Sequence, residues 1–267
     1  MGHAQLWSTA LAGLAILLAG LPVRAAHCTA QSGPFTGALV ELYTSGSCSG
    51  CPAAERWISR LGARDDVPGR LVPVALYLGY GDYTGARQED LHARQRKLMP
   101  RQRMALVHAP QVLLQGLAFP DWSTRAFDEA LARIHSRQAK ARLRLEVVTV
   151  RSDAFDVNAA AELTDPAHEG KAALYLAAYW DKPQANQPQG NKPQARVVLE
   201  WKGPFSASGT ASHRLPLLPG ALPGDSGVVA FVQSRRSAEV LQALMLPACG
   251  DTFGYIRAKQ APAPSGG

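Results

Sequence analysis

The spacing of apolar residues along this chain changes near residue 142. Before it, short apolar runs are separated by stretches with apolar positions three and four apart. Ala38-Leu-Val-Glu-Leu-Tyr43 predicts a buried strand. Ala54, Trp57, Ile58 and Leu61 predict a helix over 52–62, with Pro52 tolerated in its first turn. Asp65–Gly69 predicts a turn. Leu71–Tyr77 predicts a second buried strand, with Pro73 placing it at an edge or at an irregular start. A loop rich in Gly and Tyr over 79–85 comes next. A helical stretch over 87–104, broken at Pro100, leads to strand character over 107–114. A long helix is expected from an N-cap near Ser123 to about Arg142, with Phe127, Ala130, Leu131 and Ile134 as its buried stripe.

After residue 142 the period falls to two. Leu143-x-Leu145-x-Val147, Phe155-x-Val157 and Ala173-x-Tyr175-x-Ala177 alternate, and Val197–Leu199, Ser212–Leu217 and Val228–Val232 continue in short runs between turn residues. This pattern predicts an antiparallel sandwich of six to eight strands over 143–257. The low-complexity segment 182–194 predicts a long hairpin loop, and 258–267 a disordered tail.

The N-terminus carries the apolar run Leu11–Leu21, closed by Pro22 and followed by Val23-Arg24-Ala25. It is short for a bilayer span and reads as a signal peptide over 1–26, although the segment before it lacks Lys and Arg. Periplasmic or secreted localisation is therefore expected, with no stable membrane span after cleavage. An oxidising compartment lets disulfides persist. The net charge of +7 is only moderately basic. Its densest cluster, six Lys/Arg in 87–103, is not interleaved with aromatics and reads as a solvated helix face, so no nucleic-acid partner is expected.

The candidate chemistry lies at Cys48-Ser-Gly-Cys51, between the first strand and the first helix. A helix N-terminus carries unpaired N–H groups and partial positive charge, which favour a thiolate, the nucleophile of disulfide exchange. Cys48 is expected to be the exposed attacking thiol and Cys51 the buried resolving thiol, with backbone N–H groups of Ser47, Ser49 and Gly50 free to stabilise the thiolate. Glu41 is a candidate acceptor of the resolving thiol's proton, or an ordinary strand glutamate. His108 could approach the sulfurs or be structural. Cys28 and Cys249, near the two ends of the exported chain, are a candidate structural disulfide or a relay to the dithiol.

The order strand, dithiol, helix, strand and Pro-containing strand resembles the thioredoxin fold. That resemblance implies an α/β thioredoxin-like N-terminal domain over 36–142 with a helical insertion at about 86–105, followed by the all-β sandwich-like C-terminal domain. It also implies a cis-proline packed against the dithiol, for which Pro110 is the candidate. The stretch Glu41-Leu-Tyr-Thr-Ser-x-x-Cys48-Ser-x-Cys51-Pro52-x-Ala54-x-Arg56 is similar to the signature of a secreted bacterial family, domain of unknown function 1223. Arg94-Gln-Arg96 and Ala109-Pro-Gln111 look like that family's as well. The chain departs from the pattern at Tyr77–Tyr83, which lacks the usual His and Asp, and at Ala109, where Thr is commoner.

The expected function is an exported thiol–disulfide oxidoreductase acting on protein thiols or disulfides, with no cofactor beyond its redox-active disulfide. Two other readings stand beside it. One is a thioredoxin-like protein binding a soft metal such as copper through Cys48 and Cys51, with the scarcity of Met against it. The other is a redox-silent interaction module with a structural disulfide.

Overall fold

The computed structural model describes residues 28–62, 64, 70–78, 88–98, 108–150, 153–182, 195–217 and 225–247. Twelve strands and three helices lie among them: β1 (Cys28–Gln31), β2 (Ala38–Thr44), α1 (Cys51–Gly62), β3 (Leu71–Tyr77), α2 (Gln88–Leu98), β4 (Gln111–Leu114), β5 (Leu117–Ala118), α3 (Arg125–His135), β6 (Ala141–Val150), β7 (Ala154–Leu163), β8 (Ala172–Lys182), β9 (Ala195–Ser206), β10 (Gly209–Pro216), β11 (Ser226–Ser234) and β12 (Val240–Pro247).

The strands form two sheets. The smaller runs β1-β6-β7-β10 and the larger β12-β11-β8-β9-β3-β2-β4-β5. β3 lies parallel to β2 on one side and to β9 on the other, where the single pairing is Ala75 with Val197. Pro73 falls outside that short ladder, which accommodates its missing N–H between two strands.

This arrangement corrects the expected fold class. There is no α/β thioredoxin-like N-terminal domain followed by a separate all-β sandwich-like domain. The chain is mostly β, and strands from both sides of residue 142 share one eight-stranded sheet. The change of period at residue 142 marks where the helices stop, and the sheet continues across it.

Alternation along the strands sorts the core. Leu174, Leu176, Ala178, Val228, Ala230 and Val232 face the small sheet, meeting Leu143, Leu145, Phe155 and Val157. Ala38, Val40, Leu42, Val112 and Leu114 meet Ile58, Leu61, Phe127 and Ile134 from α1 and α3. Leu39, Tyr43, Val74 and Leu76 point the other way and share a cluster with Tyr179, Val229, Phe231 and Met245. The large sheet therefore curls about this third cluster, with β12 against β2 and β3. Buried glutamines close the curl. Gln115 accepts from the Leu39 N–H at 2.7 Å and donates to the Val240 carbonyl at 3.1 Å. Gln242 accepts from the Gly37 N–H at 2.6 Å.

α3 is shorter than the spacing predicts. Thr124 caps it, its hydroxyl accepting from the Ala126 N–H, and Ser136 ends it. The residues from Ala141 onward alternate and enter β6, so tertiary pairing replaces the last expected turns. α2 covers the middle of the expected helical insertion. The signal segment, the 182–194 loop's centre, Cys249 and the C-terminal tail lie outside the described residues.

A part-buried pair beside the C-terminal end of α1 gives a pH-dependent prediction. Asp181 lies opposite Arg196 on β8 and β9, 3.6 Å from its Nε. Burial pushes the Asp181 carboxyl up to about 6; Arg196 opposes the shift and Asp225 adds to it. Between about pH 4 and this raised value the folded chain holds a proton that the unfolded chain has released. This group therefore favours folding most at low pH, and its contribution is lost as pH rises through 6. Asp181→Asn is expected to match the wild type near pH 4 and to gain roughly 2 kcal/mol over it by pH 7, in urea unfolding followed by circular dichroism. A difference that does not change with pH contradicts this.

Candidate functional site

Thr44 ends β2, and residues 45–50 carry the chain round to α1, whose first residue is Cys51. The Cys51 N–H meets the Cys48 carbonyl at 3.3 Å, and the Ala54 N–H meets the Gly50 carbonyl at 3.4 Å. Cys48 and Cys51 are joined as a disulfide with their Cα atoms 5.4 Å apart, a usual separation for this bond. Cys48 is half-buried and Cys51 fully buried. Ala54, Ile58 and Leu61 seat the helix on β2 and β3, so the buried cysteine is fixed by the core. Trp57 packs between Trp122 and Phe127, with ring centroids 5.0 Å from each, and ties α1 to the start of α3.

The structure brings Pro110 to this loop. The Ala109–Pro110 bond is cis, and a Cβ built on Gly50 would stand 3.3 Å from the Pro110 Cδ. A side chain at position 50 would therefore press on the proline. Gln95 of α2 holds the proline segment, donating to the His108 carbonyl at 3.2 Å and to the Gln111 Oε1 at 2.7 Å. His108 itself is exposed.

One N–H group points at the buried sulfur, and it is that of Ser45, 3.4 Å from the Cys51 Sγ. The Ser47 N–H, expected to be free, is taken by the Ser45 hydroxyl. Glu55, one turn beyond Cys51, accepts from the Thr44 hydroxyl at 2.8 Å. Sequence reasoning passed over Ser45, Thr44 and Glu55. The signal available was the i, i+4 spacing of Cys51 and Glu55 on one helix.

Glu41 lies elsewhere. It shares the face of β2 that carries Leu39 and Tyr43, opposite the face packed by α1. Its carboxylate is fully buried and bound by Arg94 through two bonds, Nε to Oε1 at 2.9 Å and Nη2 to Oε2 at 3.1 Å. The Tyr43 hydroxyl donates to the same carboxylate at 3.3 Å. Burial, with Glu41 beside it, raises the Tyr43 pKa well above its ordinary value. Burial alone would lower the Arg94 pKa, and the Glu41 carboxylate together with the Tyr43 and Tyr175 hydroxyls outweighs it, so Arg94 titrates above its usual range. Arg94 also donates to Gln233 at 3.1 Å and lies 4.2 Å above the Trp201 ring. Glu41 and Arg94 thus form a neutral plug inside the curled sheet.

Cys28 is buried against the small sheet's core and is disulfide-bonded. The segment Gly79–Tyr83 lies outside the described residues. Among the described residues no three His, Cys, Asp or Glu side chains gather as a metal site, and no helix is long and apolar enough to cross a membrane.

Two solved structures share this fold. One is a crystal structure of a protein from Agrobacterium tumefaciens, 15% identical, with a TM-score of 0.54, matched over 82% of this chain and 97% of that one. The other is HBP35 of Porphyromonas gingivalis, 16% identical, with a TM-score of 0.57, matched over 80% of this chain and 76% of that one. No curated protein matches the chain. The sequence from residue 39 to residue 233, which holds the dithiol, Pro110, Arg94 and the strands of the curled sheet up to β11, matches one family throughout, and the chain belongs to the family described as protein of unknown function (DUF1223).

Proposed function

We propose that the chain is an exported thiol–disulfide exchange protein working through Cys48 and Cys51. The observation that carries this reading is the unequal setting of the two sulfurs, Cys48 half-buried on a loop and Cys51 buried at the start of α1. A partner can reach the first sulfur, and the second waits beneath it with the Ser45 N–H aimed at it.

In the reducing direction, the Cys48 thiolate attacks one sulfur of a partner disulfide. A mixed disulfide forms, and the partner's other sulfur leaves as a thiolate. The Cys51 thiolate then attacks the Cys48 sulfur, which restores the Cys48–Cys51 bond and frees the partner's second thiol. Two electrons pass from the protein to the partner, and the reverse sequence oxidises a partner dithiol. Pro110 walls the site beside Gly50. Glu55, on the turn that follows Cys51, accepts from the Thr44 hydroxyl and fixes the end of β2 against α1.

Two disulfide-bonded positions, Cys28 and the Cys48–Cys51 pair, support an extracytoplasmic, oxidising location. The test is equilibration of the pair against glutathione buffers. A pair that opens and closes in the range of dedicated exchange proteins supports the reading.

A further inference from the structure

The two ends of the large sheet meet beside α3. The β4–β5 turn reaches the start of β12, where the Val240 N–H donates to the Gln115 carbonyl at 3.1 Å. A hollow of about 420 Å³ opens between this junction and the C-terminal half of α3. A space of that size suits a small organic molecule. Thr36, which lines the hollow, precedes β2, and the dithiol follows it. The seven residues of the strand hold the two apart by roughly 20 Å.

The floor of the hollow is apolar. Leu114, Ile134, Val240 and Leu241 are buried there, and Leu117 stands at the lip, 44% exposed. Phe35 and Leu117 are the two exposed large apolar side chains among the described residues. Polar groups of the floor are bonded within the protein. The Gln115 side chain accepts from the Leu39 N–H and donates to the Gly37 and Val240 carbonyls. The Thr36 hydroxyl donates to the Arg137 carbonyl at 3.3 Å.

The lining carries three cations, Arg133, Arg137 and Lys140, and one carboxylate, Glu239. Lys140 and Glu239 bind each other at 3.1 Å, which leaves the charge of the two arginines. Both arginine side chains are exposed. The Arg137 N–H bonds the Ile134 carbonyl at 3.0 Å, so the chain keeps turning past α3 and sets Arg137 one turn beyond Arg133. Like charges at that spacing repel. The acidic residues of α3 are held by other cations, Asp128 by Arg64 at 3.0 Å and Glu129 by Arg125 at 3.2 Å. A helix C-terminus favours cations, which accounts for the arginines taken alone. It does not account for the apolar hollow they border. Hollow and charge together fit a molecule with an apolar body and one anionic end.

We infer that this hollow binds an anionic amphiphile of the fatty-acid kind, with its carboxylate between Arg133 and Arg137 and its chain against Leu117, Phe119 and Ile134. Removal of the chain from water drives entry, and charge-assisted hydrogen bonds from the guanidiniums fix the head. The site does not depend on the exchange reaction at the far end of β2.

The test is calorimetric titration of the full chain with decanoate, decyltrimethylammonium, acetate and a peptide of alternating glutamate and leucine, all below micelle-forming concentrations. The expected result is one saturable site for decanoate, at least about tenfold tighter than for any of the others. Combined Arg133→Gln and Arg137→Gln substitution should weaken decanoate binding about tenfold or more, with thermal unfolding unchanged because both side chains are exposed. If that protein unfolds early, Leu117→Asp is read instead. A carboxylate at the lip should repel decanoate, with a loss of about fivefold or more. Equal binding of decyltrimethylammonium marks unspecific apolar adsorption, and tighter binding of the peptide marks a protein partner. Either overturns the proposal, as does a lack of saturation by decanoate or an unchanged decanoate affinity in the folded variants.

Discussion

Cys51→Ser protein, reduced and mixed with a disulfide-linked peptide, is expected to accumulate a mixed disulfide at Cys48 that mass spectrometry detects as one added peptide thiol. In the wild type the buried Cys51 sulfur lies next to the Cys48 sulfur, and an adjacent, oriented thiol acts at an effective concentration far above that of any external one. Removing it should slow release of the adduct by roughly 10³-fold or more. Cys48→Ser should form no such adduct, because the remaining sulfur is sealed under the loop. Equal adduct formation by both variants contradicts the assignment of Cys48 as the attacking thiol and Cys51 as the resolving thiol.

Arg94→Met should lose about 3–5 kcal/mol of stability in urea unfolding, the usual cost of leaving one charge of a buried pair without its partner. Glu41 is fully buried, and two of its three partner bonds come from Arg94. The same substitution frees the Gln233 Oε1 and strips the cation from above Trp201. Glu41→Gln combined with Arg94→Met should recover a large part of the loss, since the buried charge is then gone. A single Arg94→Met that costs less than about 1 kcal/mol contradicts the plug, because that is the range of an exposed pair.

The local elements were legible where period and punctuation agreed. β2, α1 and β3 follow their apolar spacing, and the dithiol falls where the strand hands over to the helix. Pro110 was placed beside the loop through a resemblance, and Gly50 meets it. What could not be read was partnership. β3 looks like the edge of a small α/β unit until β9, more than a hundred residues later, takes its free side at Ala75. Nothing in the spacing of either strand encodes that meeting. Glu41 misled for a related reason. A lone carboxylate in an apolar strand near two cysteines invites a proton-transfer role, yet strand alternation turns it to the other face, toward Arg94 of a helix whose amphipathic pattern is weak. Nothing in the sequence pattern marks Gln115, Gln233 and Gln242 as buried. Each is buried and ties one end of the curled sheet, a job visible only once the sheet is closed.

The reduction potential of the Cys48–Cys51 pair bears most directly on the exchange reading. Purified protein is equilibrated with glutathione buffers and its thiols are counted by mass spectrometry, with the two cysteines resolved from Cys28 by peptide mapping. A half-accessible sulfur above a buried one predicts a value between about −120 and −270 mV, the span of dedicated exchange proteins. A pair that stays closed below roughly −300 mV is a structural staple and contradicts the exchange function.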